Sequence, residues 1–162
     1  MSRIARRVTP FLWFDANAEL AVRHYVRLFP RSRIVSIARR GKAAFTVEFV
    51  LDGQRFVALN GGPHYRLNAA FSLYVSCADQ REIDRLWQAL ARGGKPLRCG
   101  WLEDRFGLTW QIIPDALPAL IRDPRGMAAM MTMQKIDLAA LEAAVVPPAT
   151  SRRTASRRRA RR

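Results

Sequence analysis

A chain of 162 residues can bury a sizeable core in one domain, and 49% hydrophobic with 9% aromatic content excludes a disordered or low-complexity protein. Its 28 lysines and arginines face 13 acids, for a formal charge of +15; seven of those cations are arginines between 152 and 162, so the other 21 leave the body at +8. Two cysteines, Cys77 and Cys99, exclude a disulfide-rich scaffold and a four-cysteine zinc site, and no run of about 18 apolar residues offers a transmembrane helix.

The opening MSRIARRVTP has no apolar signal core, so a soluble, cytoplasmic, reduced protein is expected. Residues 8–14 (VTPFLWF) read as a strand, with Pro10 marking an edge or a strand start. In the following stretch Ala18, Ala21, Val22, Tyr25, Leu28 and Phe29 recur at three- and four-residue steps, which predicts an amphipathic helix. Asp15 or Asn17 is placed to cap it, and Pro30 stops it. Three short strands come next, at 32–39, 44–51 and 54–60. Asp52-Gly53 between the last two predicts a two-residue hairpin. The register then pairs Leu51 with Gln54, Phe49 with Phe56, Val47 with Ala58 and Phe45 with Asn60. Both hairpin faces are substantially apolar, so cover on both sides is expected.

The same order follows a second time. Residues 70–77 (AFSLYVSC) read as a strand and 79–92 as a helix, with Asp79 and Glu82 spaced as a capping box. Ile83, Leu86, Trp87 and Leu90 form the buried stripe of that helix, and Gly93-Gly94 ends it. LRCGWLEDRFGLTWQIIP then supplies two or three short strands around a turn at 104–107. The pattern strand-helix-strand-strand-strand is therefore written twice, at 8–62 and 69–114, with little identity between the halves. Short helical segments are expected at 115–121, 125–135 and 138–145, closing by 146, and the arginine-rich residues 149–162 read as a disordered basic tail.

Several residues stand out chemically. His24 lies beside the apolar face of the first helix and reads as a boundary histidine. His64 follows Asn60-Gly61-Gly62-Pro63 at a strand exit, where it either sits in a simple linker or acts as a donor or acid–base group. Glu48, mid-strand among apolar neighbours, either pairs with Arg55 or serves as a base in a cleft. Trp13, Trp101 and Trp110, with Phe14 and Phe71, supply flat surface for a core or a pocket; Trp101 and Trp110 flank the last turn and can face each other across it. Cys77 and Cys99 read as buried, inert thiols, and the methionines at 127–133 as core or interface.

The duplicated β-α-β-β-β order with HYVRLFP in its first helix resembles the vicinal oxygen chelate superfamily, the relatives of glyoxalases, bleomycin resistance proteins and extradiol dioxygenases. TPFLWFDANAELAVRHYVRLFP, FTVEFVLDGQRFVALNGGPHY, CGWLEDRFGLTWQIIP and MMTMQKIDLAALEAA together resemble the PhnB-like family, often labelled 3-demethylubiquinone-9 3-methyltransferase, over residues 8–144. The resemblance implies an α+β fold: paired βαβββ modules forming a curved mixed sheet around a cleft, with C-terminal helices. Taken with the residues above, ligand contacts are expected from Trp13, Asn60, His64, Trp101, Trp110 and Gln111, with His64 and Glu48 as candidate catalytic groups. The superfamily's metal positions match Val8 or Thr9, Ala70, a residue between 56 and 60, and Gln111. Two of these four cannot hold a transition ion and the amides of Asn60 and Gln111 are weak ligands, so no metal and no cofactor are expected.

The resulting expectation is a PhnB-like protein that binds a small organic ligand between its modules. A homodimer is expected, because superfamily relatives commonly pair to complete or shield their clefts. The first alternative is a nucleic-acid-associated protein making nonspecific phosphate contacts through Arg152 to Arg162. Methyl transfer, the second, lacks a recognisable S-adenosylmethionine site: neither glycine pair lies between a parallel strand and a crossover helix.

Overall fold

Local sequence signals set the elements, and the computed structural model describes residues 8–147. The first module runs β1 (Phe11–Phe14), α1 (Ala18–Leu28), β2 (Arg33–Arg40), β3 (Ala43–Leu51) and β4 (Gln54–Asn60). The second repeats it as β5 (Ser72–Cys77), α2 (Gln80–Ala91), β6 (Lys95–Pro96), β7 (Trp101–Glu103) and β8 (Thr109–Pro114). Helices α3 (Leu117–Leu120), α4 (Pro124–Thr132) and α5 (Leu138–Val145) follow. No helix among the described residues is long and apolar enough to cross a membrane. The basic tail read at 149–162 lies outside the described residues.

Each module forms its own four-stranded mixed sheet, ordered β1-β4-β3-β2 and β5-β8-β7-β6. In both, the first strand is an edge lying parallel to the last, and the rest is antiparallel. The repeat seen in the sequence is thus a repeat of topology. The paired βαβββ modules expected from the sequence are present, each with its own mixed four-stranded sheet, and the C-terminal helices follow them.

The Asp52-Gly53 turn has positive φ at both residues, 43° and 81°, and it sets Leu51 opposite Gln54, Phe49 opposite Phe56 and Val47 opposite Ala58. The ladder ends one pair short of Phe45 and Asn60, at Thr46 and Leu59. Side chains alternate across the pleat. Val47, Phe49, Phe56 and Ala58 turn to α1 and are buried. Thr46, Glu48, Val50, Val57 and Leu59 turn the other way and are only half-buried. Cover on both sides, expected from the apolar pattern, is therefore present on one side alone within this chain.

The caps differ between modules. Asp79 accepts from Glu82 N at 2.8 Å, the cap read from spacing, while the Glu82 carboxylate reaches one residue past the cap and accepts from Ala78 N at 2.9 Å. On α1, Asn17 occupies the cap position without a side-chain bond. The Asn60 Oδ1 atom, arriving from β4, accepts from Ala18 N at 2.8 Å instead.

The modules meet at one buried carboxylate. Asp104, 3% exposed, follows β7 and starts the turn to β8. Its Oδ1 accepts from Phe106 N at 2.8 Å and Leu108 N at 3.1 Å, which folds the turn around it. Its Oδ2 accepts from Trp110 Nε1 at 2.9 Å and from the Tyr25 hydroxyl of α1 at 2.7 Å. Around this centre Phe29 stacks on Trp110, with centroids 5.5 Å apart, and Tyr25 meets Trp110 edge-on at 5.1 Å.

The C-terminal helices close a second small core of Ile113, Leu117, Ile136 and Leu141, with Met130 and Met133 packed against it. Helix α4 stops at Thr132, short of the expected 135, because the carbonyls of Met133 and Gln134 accept from Cys99 N and Gly100 N at 2.8 and 2.7 Å. Cys77 is buried, and burial pushes its thiol up to about 12, as an inert thiol requires. Cys99 corrects the reading made of it: it is half-buried, on left-handed backbone (φ 59°), with Sγ 3.6 Å from Met131 Sδ.

Replacing Asp104 strands two buried side-chain donors. Asp104→Ala is expected to lower unfolding stability by about 3 kcal/mol or more, and Tyr25→Phe by about 1–2 kcal/mol, in urea titrations. Burial, and then Asp104, push the Tyr25 hydroxyl well above its ordinary value of 10.0. The folded state therefore holds that proton more tightly than the unfolded chain does. The resulting stability is complete below pH 10.0 and lost as pH rises beyond it. Wild type should lose more stability between about pH 10 and 12 than Tyr25→Phe; equal losses would contradict the coupling.

Candidate ligand site between the modules

Each sheet has a helix face and an open face. On the first sheet, Phe11 and Trp13 of β1 share the open face with Val57, Leu59, Thr46 and Glu48. On the second, Trp101, Glu103, Thr109, Gln111, Ser72 and Tyr74 share one face. The open faces come together where Trp13 and Glu103 line one cavity of ≈ 350 Å³. Asp15 and Asn17 from the β1–α1 connection, Tyr65 and Arg66 from the linker between modules, and Phe106 from the β7–β8 turn complete its wall.

Backbone geometry builds the aromatic side of this cavity. The Trp13 indole lies flat against Gly61, where any Cβ would overlap its ring, and donates to Gly62 O at 2.9 Å. Tyr65 meets the indole edge-on, with centroids 4.9 Å apart. The glycine pair thus admits a tryptophan, which then presents its remaining surface to the cavity. Opposite it, Glu103 and Phe106 are held by the turn folded around Asp104. The charged groups at the cavity are two carboxylates, Asp15 and Glu103, and one guanidinium, Arg66. Across the ladder from Glu103, the Thr109 hydroxyl is buried and is the single such side-chain atom without a hydrogen-bond partner among the described residues.

The residues singled out from sequence do not converge on one cavity. Trp13 lines the site just described, while Glu48, Trp101 and Gln111 sit on the open faces away from it. Glu48 accepts from the Ser36 hydroxyl at 3.4 Å; no ion pair joins it to Arg55 among the described residues. Gln111 Nε2 donates to Ser72 Oγ at 2.8 Å. Trp110 is on the helix face: register pairs it with Leu102 and pairs Trp101 with Gln111, so the two tryptophans lie on opposite faces. Fully buried, Trp110 belongs to the core and walls a second, more apolar cavity of ≈ 420 Å³ with Phe29, Phe56 and Leu73. Asn60 is spent on structure, capping α1 through Oδ1 and donating to Ala44 O at 2.9 Å through Nδ2. His64 is exposed in the linker and lines no described cavity. Asp15, Tyr65, Arg66, Glu103 and Phe106 were missed. The pair of acids Glu103-Asp104 between apolar residues in WLEDRF was the one available signal.

These donors do not fit a superfamily-type metal. Among the matched positions Val8, Thr9 and Ala70 offer no ligand for a transition ion, Asn60 Oδ1 already holds an amide, and no cluster of three or more His, Cys, Asp or Glu side chains occurs among the described residues.

A family model described as 3-demethylubiquinone-9 3-methyltransferase matches residues 6–113. The chain is similar to the structure of a putative 3-demethylubiquinone-9 3-methyltransferase, PhnB protein, from Bacillus cereus, at 33% identity and a TM-score of 0.63, over 67% of this chain and 99% of that one. Protein PA1353 from Pseudomonas aeruginosa shares the fold at 19% identity and a TM-score of 0.55, over 65% and 95% of the two chains. A glyoxalase/bleomycin resistance protein from Albidiferax ferrireducens T118 aligns at 15% identity and a TM-score of 0.40, over 62% and 92%. A comparison with curated proteins returned no match. The chain belongs to the PhnB-like, 3-demethylubiquinone-9 3-methyltransferase family.

Proposed function

We propose that this protein binds a small organic molecule in the cleft where the open faces of its two modules meet. The observation that carries the reading is the ≈ 350 Å³ cavity walled by Trp13 and Tyr65 on one side and by Phe106 and Glu103 on the other. That volume falls within the range of small-ligand pockets, and flat aromatic walls with a few polar groups are their usual lining. The two carboxylates favour a ligand that offers hydrogen-bond donors or a positive charge, and Arg66 favours an acceptor at another point on the same molecule. Asp15 and Glu103 replace His64 and Glu48 as the titratable groups nearest the ligand. Methyl transfer, the activity in the family's description and in the name of the Bacillus cereus relative, gains no support from the glycine pairs: Gly61-Gly62 receive the Trp13 indole, and Gly93-Gly94 follow α2.

Thermal-shift screening of a metabolite panel tests this reading. Hits should stabilise the wild-type chain, and Arg66→Ala or Glu103→Gln should weaken them about tenfold, roughly 1.4 kcal/mol of binding. Hits unaffected by both variants but lost in Tyr74→Ala would move the site to the ≈ 420 Å³ cavity and defeat the proposal. So would a panel without any hit.

A homodimer accompanies this reading. The open face of the first sheet leaves Phe11 59% exposed, and Tyr74 on the second is 53% exposed. A second copy laid over these faces would remove that apolar surface from water and shield the ligand. Light scattering should give twice the chain mass, and Phe11→Lys should shift it toward the monomer; a monomeric wild type would remove the claim.

A further inference from the structure

Helix α1 has a second exposed side, and its chemistry is the reverse of the ligand cleft. Arg23 and Arg27 stand one turn apart on it, with His24 between them in sequence, and Arg105 faces them from the β7–β8 turn. With Leu20 and Phe106 these four residues line a cavity of ≈ 470 Å³ that has no carboxylate in its wall. Phe106 separates it from the ligand cleft, lining both.

The positive charges there are poorly neutralised. Arg23 is held by Glu19 at 2.8 Å, but neither Arg27 nor Arg105 has an ion-pair partner among the described residues. The Arg105 guanidinium instead lies over the Phe106 ring, 4.7 Å from its centroid. Asp104, adjacent in sequence, is turned inward with both oxygens filled. Half-buried His24 registers the crowding: burial, then Arg105, and further down Arg27, hold its pKa below the ordinary histidine value, outweighing the opposing pull of the Ala89 backbone and Asp104. A neighbouring cavity shares Leu20 and Arg23 and adds Arg39 and Lys42, with Glu19 its one carboxylate.

Like charges collected in a concave surface focus the potential and draw a counter-anion. Guanidinium groups match phosphate oxygens in pairs. We propose that the cleft formed by Arg23, Arg27, Arg105 and His24 is a binding site for an anion carrying several phosphate groups, separate from the organic-ligand cleft and independent of what that cleft binds.

The chain's two histidines, His24 and His64, allow a direct test. In NMR spectra of the full chain, sodium tripolyphosphate should move the His24 imidazole resonances and raise the pH at which they titrate, while the His64 resonances stay in place. Arg27→Gln with Arg105→Gln should weaken tripolyphosphate binding at least about tenfold in calorimetry, against less than about twofold for the charge-matched pair Arg33→Gln with Arg122→Gln. A short single-stranded oligonucleotide producing the same His24 response would extend the site to phosphodiesters; a response to tripolyphosphate alone would confine it to free oligophosphates. Unmoved His24 resonances, or equal losses from the two pairs of substitutions, would place the affinity in diffuse positive charge and overturn the proposal.

Discussion

The architecture depends on what Asp104 satisfies. A carboxylate withdrawn from water is costly unless donors replace the lost solvent. Here four do, and they come from three places: the backbone of its own turn, the indole of the following strand, and the hydroxyl of a helix in the other module. The turn cannot relax without releasing Tyr25, and α1 cannot slide without withdrawing the Tyr25 hydroxyl from Asp104. The consequence for the proposed cleft is immediate, because Glu103 precedes this residue and Phe106 lies two beyond it. The wall that the second module contributes to that cavity is held in place by a bond to the first.

The two faces of each sheet divide the labour. Leu12, Phe14, Val47, Phe49 and Ala58 on the helix face of the first sheet are almost wholly withdrawn from water and make the core continuous with the second module. The opposite face keeps apolar residues at half exposure, a condition stable globular surfaces generally avoid over a wide patch. Ligand and second copy are therefore related demands on one surface in the proposed reading. The charge distribution differs as well: two carboxylates and one arginine line the inner cleft, while three arginines collect behind α1.

What the sequence disclosed was whatever short-range chemistry determines. Asp52-Gly53 dictated a register, Asp79 and Glu82 dictated a cap, and alternation dictated which hairpin residues share a face. The family resemblance rested on ordered blocks of residues, and the family and fold comparisons agree with it. Long-range partnerships stayed hidden. Tyr25 and Asp104 are 79 positions apart, and nothing near either one names the other. Asn60 looked like a ligand donor because an amide at a strand end reads the same whether it holds a ligand or caps a helix 42 positions earlier. The placing of Trp101 and Trp110 on opposite faces stayed hidden because aromatic content does not reveal parity, and a one-residue change of register inverts it. Arg66 and Tyr65 sit in a linker without periodicity, so only the path of the chain over Trp13 brings them to the cleft.

Native-state hydrogen exchange followed residue by residue tests the coupling of the modules most directly. If Asp104 joins them as described, the amides of Val22 and Tyr25 in α1 and those of Trp110 and Ile112 in β8 open with one shared free energy, and Asp104→Asn splits them into two unequal groups. Wild-type chains in which α1 and β8 already open independently would contradict the account.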